Sequence, residues 1–117
     1  MSENFKYINL GYIEEISGGD KDFKKELIQI FLKQVPEFIA NMHQFLSEEE
    51  KNDLAKEAHT AKSSALIFSM EETGKTLKRI QLLAENNQID PIPGLLSQVE
   101  EELNGATKEL ASYLNDL

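Results

Sequence analysis

Apolar residues along this chain recur at intervals of three and four, the period of a helix with one buried face, and no stretch alternates as a half-buried strand does. One series runs Leu27, Phe31, Val35, Phe38, Met42 and Phe45. Further along come Leu54, Ala58, Ala61, Ala65 and Phe68, then Thr73, Leu77, Ile80 and Ala84. The last is Leu96, Val99, Leu103, Ala106, Leu110, Tyr113 and Leu117. Each series predicts a long helix.

Boundary signals divide them. A short helix is expected from just after Asn9 to Ile16, closed by "SGGD", with Asp20 as the next N-cap and Asp22 in the first turn. Pro36 falls inside the second series, where a proline costs ~3 kcal/mol and one backbone hydrogen bond. The apolar stripe keeps its phase across it, so the expectation is one long helix kinked near Pro36, with two abutting helices as the alternative. "SEEE", Ser47 to Glu50, reads as a capping box opening a helix from about Glu48 to Phe68. "SMEE", Ser69 to Glu72, repeats that signal for a helix reaching about Asn86. "NNQIDPIPG" is a loop in which Asp90 and two prolines set the start of the last helix. The expectation is all-α: an antiparallel four-helix bundle with a short additional N-terminal helix, one domain over residues 1–117.

Successive helical residues rotate by about 100°, which places His59 roughly 140° from the centre of the Leu54–Phe68 core face. It should face solvent. Lys56 and Lys62 flank it one turn either side, and Ala55, Ser63, Leu66 and Met70 continue the same strip. Several apolar residues gathered around one functional group suggest a docking surface. A neutral imidazole nitrogen is a nucleophile and can accept a phosphoryl group, whose oxygens neighbouring ammonium groups would offset. A solvated surface histidine flanked by ordinary lysines fits the same facts.

Composition narrows the chemistry. The chain has no cysteine, which removes disulfides, thiolate zinc sites and thiol catalysis. Its formal charge is −9, a field that repels phosphate backbones and makes nucleic acid an unsuitable partner. The opening "MSENFKYINLGYIEEI" has neither the apolar run of a signal peptide nor that of a membrane span. His43, the other histidine, lies sixteen residues from His59, without ligand spacing around either, so no metal site is expected. It reads as a bundle-edge residue. "SSAL" is not a nucleophile elbow, and no hydrolase triad is in view.

"AHTAKSSALIFSM", residues 58–70, resembles the motif of histidine-containing phosphotransfer (HPt) domains, in which the phosphorylated histidine is followed by lysine at +3 and a small residue at +4. His59, Lys62 and Ser63 match those positions. "NLGYIEEISGGDKDFKKELIQIFLKQVPEFI" is similar to the first helices of the family, including the proline. The resemblance implies reversible phosphoryl exchange between His59 and receiver-domain aspartates in a multistep two-component phosphorelay, with receiver domains and hybrid sensor kinases as partners. It also implies a polar residue on the following helix that hydrogen-bonds the imidazole, and Gln81 stands at that place. By rotation Gln81 lies at the edge of its helix's core stripe, where a boundary glutamine would also sit. The family usually has glycine at +4 and +10, where this chain has Ser63 and Ser69. Ser69 is expected to cap the next helix in glycine's stead. The resulting expectation is a free-standing, monomeric, cytoplasmic phosphoryl carrier rather than an autonomous kinase, without a cofactor, metal, nucleic-acid or membrane partner. The alternative is an HPt-like adaptor that binds a receiver or another protein without transfer.

Overall fold

A computed structural model of the chain describes residues 5–117. Five helices follow in order: α1 (Gly11–Ser17), α2 (Lys21–Ser47), α3 (Lys51–Ile67), α4 (Glu71–Glu85) and α5 (Ile92–Asp116). α2 packs beside α3 and α5, and α4 beside the same two, so the four long helices form a closed square with α1 leaning on α2. The bundle is elongated, 45 × 22 × 20 Å. None of its described helices is long and apolar enough to cross a membrane.

The helical stripes meet on the axis. Phe31, Val35, Phe38 and Met42 of α2, Leu54, Ala58, Ala61 and Ala65 of α3, Thr73, Leu77, Ile80 and Ala84 of α4, and Leu96 to Leu110 of α5 are all buried. Leu27 and Phe45 lie at the margin instead, while Ile28 and Lys24 turn inward. α3 and α4 pack most intimately, because the face α3 turns inward is largely alanine and lets the backbones approach. α2 is a single helix through Pro36, which excludes the two-helix alternative.

Asp20 caps α2 as expected, its carboxylate accepting from the amides of Asp22 (2.9 Å) and Phe23 (3.2 Å). The two capping boxes are not formed. Ser47 is the last residue of α2, and α3 begins after Glu50 with no side-chain cap. α4 likewise starts from Met70 with no side-chain cap, and Asp90 makes none at α5, where the prolines alone mark the start.

The turns are governed by how helices end. α2, α3 and α4 all close in the same way: a left-handed residue, then a backbone N–H reaching back five positions. Glu49, Ser69 and Asn87 have φ of 55°, 59° and 58°, and the bonds are Glu50 N–H to Phe45 O, Met70 N–H to Ala65 O and Gln88 N–H to Leu83 O. This is the Schellman termination, whose left-handed position favours glycine. Ser69 therefore does not stand in for glycine as a cap; it occupies a conformation that costs a non-glycine residue about 1–2 kcal/mol. Ser69→Gly should raise the midpoint of thermal unfolding by about 4 °C, allowing for glycine's greater entropy in the unfolded chain. A midpoint that falls in calorimetry would contradict this account of the turn.

Two polar clusters lie at one end of the bundle, where α2 begins and α3 and α5 finish. Residues 5–10 lie against α5, the Glu109 carboxylate accepting from the amides of Lys6, Tyr7 and Ile8, and Asn9 N–H bonding Phe68 O at 3.0 Å. Lys24, only 7% exposed, gives its ammonium to Glu14 at 2.7 Å and to the Tyr113 hydroxyl at 3.5 Å. The hydrogen bond it donates to Glu14 holds the lysine pKa above its usual value, and the same bond holds the Glu14 carboxyl below its own.

Candidate functional site

His59 sits near the middle of α3 on its outer side, exposed, as the helical rotation requires. No hydrogen bond engages its ring among the described residues. Lys56, exposed, and Lys62, half-buried, lie one turn to either side. Ser63 is exposed, and its hydroxyl donates to the His59 carbonyl at 3.3 Å, so it offers the ring neither bulk nor a competing polar group. Ser64 is turned the other way and donates to Gln34 of α2 at 3.1 Å, tying α3 to its neighbour.

His59 lies on a groove of about 570 Å³ between α3 and α4, lined by Asn52, Ala55, Lys56, Thr60, Gln81 and Glu85 as well. The groove brings Gln81 to the histidine's side of the bundle. Gln81 Nε2 donates to Glu85 Oε2 at 3.1 Å, while Gln81 Oε1 is buried and has no hydrogen-bond partner. A buried carbonyl oxygen without a donor costs about 1–3 kcal/mol, which few native groups bear without a reason.

The remaining residues of the expected strip divide. Lys62 and Leu66 line a second, open groove with Glu71, Gly74, Lys75 and Lys78 of the α4 side. Gly74 permits this: a Cβ there would lie 3.0 Å from Leu66 Cδ2 and 3.6 Å from Lys62 Cγ. Ser63 and Leu66 also border a third hollow with Tyr12, Ile67, Ser69 and Glu71. Leu66 is 41% exposed and Tyr12 48%, an apolar surface that lies two turns along α3 from His59.

Two residues of that strip are not on the surface. Ala55 is only 5% exposed: it points toward α4 and forms the floor of the His59 groove. Met70 is 3% exposed and lies beneath the N-terminal segment, in a hollow it shares with Tyr7, Thr73 and Glu102. Rotation counted from His59 holds only while α3 continues, and the left-handed Ser69 swings the chain so that Met70 returns to the core. Sequence reasoning missed Tyr12, Gly74, Lys75, Lys78 and Glu85. The lysines and Glu85 gave a signal in their spacing along α4, but its facing relative to α3 is a tertiary fact.

His43 is placed elsewhere, exposed, with Nε2 2.6 Å from Glu100 Oε1 across α2 and α5. It is at the bundle edge, as read from the sequence.

The fold is that of a solved relative. The crystal structure of histidine-containing phosphotransfer protein B (HptB) from Pseudomonas aeruginosa PAO1 superposes with a TM-score of 0.89, covering 97% of this chain and 99% of that one at 15% identity. At that identity the likeness speaks for the fold. No curated protein matches the chain in sequence. The model of the Hpt domain family, however, matches residues 26–109, from early α2 through most of α5 and including all of α3 and α4. The chain belongs to the Hpt domain family.

Proposed function

We propose that residues 1–117 act as one phosphotransfer domain that carries a phosphoryl group on His59, accepting it from and returning it to receiver-domain aspartates in a multistep phosphorelay. The observation that carries this reading is an exposed imidazole flanked by lysines, on the same groove as a buried amide oxygen, neither of which has a hydrogen-bond partner among the described residues. In the transfer, a ring nitrogen attacks the phosphorus of the aspartyl phosphate, a P–N bond forms, and the P–O bond to the carboxylate breaks. The ring keeps its other proton and gains positive charge, and Gln81 Oε1 is the acceptor available to that N–H. The lysines offset charge on the moving phosphoryl oxygens.

Docking would use Lys56, Ser63 and Leu66, joined by Tyr12 and by the cationic rim of Lys62, Lys75 and Lys78. On a chain of charge −9 this local reversal of sign suits a partner whose active site is built of carboxylates. Incubating the protein with a phosphorylated receiver and following label onto His59 tests the proposal; no transfer to the histidine overturns it. Lys62→Ala should slow transfer ~10–100-fold, equivalent to about 1.4–2.8 kcal/mol, in single-turnover kinetics. An unchanged rate would move the electrostatic role to Lys56 or to the partner.

A further inference from the structure

We propose that Glu85 is a positioning residue for phosphoryl transfer: it fixes the Gln81 side-chain amide so that its oxygen faces the imidazole, which selects the histidine nitrogen that reacts. This rests on the phosphotransfer role proposed for His59 and adds to it a residue two steps from the chemistry.

Gln81 Nε2 donates to Glu85 Oε2 at 3.1 Å, and Oε1 is left buried without a partner. A half-turn of the amide would set Oε1 against the Glu85 carboxylate, two acceptors with no proton between them. An ionised Glu85 therefore admits one orientation. All three residues border the same groove, together with Asn52, Lys56 and Thr60. Thr60 already gives its hydroxyl proton to the Lys56 carbonyl at 3.1 Å, whereas the His59 ring has no partner among the described residues. The oxygen that Glu85 turns inward is thus an acceptor awaiting a ring N–H.

A neutral imidazole carries one proton, and the nitrogen that donates it cannot be the nucleophile. Holding Nδ1–H against Gln81 Oε1 leaves the lone pair on Nε2, at the outer end of the ring where a partner's phosphoryl group arrives. With the amide free to turn, its NH₂ could donate to Nδ1 instead, and the proton would move to Nε2. That tautomer has no lone pair where the transfer needs one.

Helix stability gives Glu85 no reason to be there. It is the last residue of α4, at the negative end of the helix dipole, where a carboxylate is unfavourable and no basic side chain offsets it. A carboxylate near an incoming phosphoryl group should also slow transfer through its field. Removing it therefore separates the two roles by sign: a field effect alone predicts faster transfer, a positioning effect slower transfer.

The test uses the full chain in four forms: wild type, Glu85→Ala, Gln81→Ala and the double variant. Nitrogen-15 NMR of the unphosphorylated protein, with the ring neutral, reads the His59 tautomer, and single-turnover transfer from a phosphorylated receiver reads the rate. Wild type should hold mainly Nδ1–H, and Glu85→Ala should shift toward Nε2–H. Its transfer should fall about fivefold to tenfold, the scale of one hydrogen bond. Gln81→Ala should lose as much, and in that background, where only its field remains, Glu85→Ala should cause no further loss and a modest gain. A tautomer ratio unchanged by Glu85→Ala, or a rate that holds or rises, overturns the proposal while leaving His59 as phospho-acceptor. If wild type takes no label at all, the phosphotransfer role fails, and the tautomer ratio alone still decides whether Glu85 orients the ring.

Discussion

His59→Ala is expected to abolish acid-labile, base-stable phosphoryl labelling altogether while leaving the helical fold intact. The expectation follows from what each histidine touches. The His59 ring is exposed, makes no hydrogen bond among the described residues, and so contributes little to stability. Alanine is the best helix former and suits an exposed interior position of α3. His43 is the contrasting case: its Nε2 is 2.6 Å from Glu100 Oε1, which occupies one ring nitrogen. His43→Ala should therefore lose a bridge between α2 and α5 and keep its label. Autoradiography or phosphoryl-sensitive mass spectrometry of both variants after exposure to a phosphorylated receiver decides the matter. Label that persists in His59→Ala and disappears in His43→Ala would reverse the assignment.

The long helices and their buried faces were legible because they depend on period alone. Phe31, Val35, Leu77, Ile80, Leu103 and Leu110 sit in the core where spacing placed them. So was the facing of His59, ten residues before the break in helical rotation at the left-handed Ser69, once α3 is recognised as one helix. The turns were not legible. "SEEE" and "SMEE" carry the composition of capping boxes, yet in each the chain first completes the preceding helix with a left-handed residue. Glu49 and Ser69 give no sequence signal for that conformation, since glycine is the residue that announces it. α3 consequently begins three residues later, and α4 one residue later, than the capping pattern predicts. That small shift matters little to a helix but decides everything for a residue at the junction. Ala55 shows a different limit: its angle beside His59 was right, and what buries it is the close approach of α4, which no single-helix projection contains.

Leu66 and Met70 turn this difference into a paired prediction, because the sequence put both on one strip and the structure separates them. Leu66 is 41% exposed, bordering both the lysine-rimmed groove and the hollow with Tyr12. Leu66→Glu should weaken transfer from a receiver about tenfold, since covering the rest of a leucine on docking is worth about 1–1.5 kcal/mol and the new charge opposes an acidic partner. Its unfolding midpoint should move by only a few degrees, because the glutamate can turn its head to water. Met70 is 3% exposed, packed beneath residues 5–10 at the start of α4. Met70→Glu would bury a carboxylate in a hollow lined by Glu71, Glu72 and Glu102 with Lys6 as its one cation, a change of the kind that costs more than about 4 kcal/mol. It should unfold the bundle or strip residues 5–10 from it, and any loss of transfer should follow from loss of structure. Met70→Leu, conserving volume and polarity, should restore both. Circular dichroism melts alongside single-turnover transfer for the three variants separate docking from core. A stable Met70→Glu that fails only in transfer would return Met70 to the docking surface, and a Leu66→Glu that unfolds would take Leu66 off it.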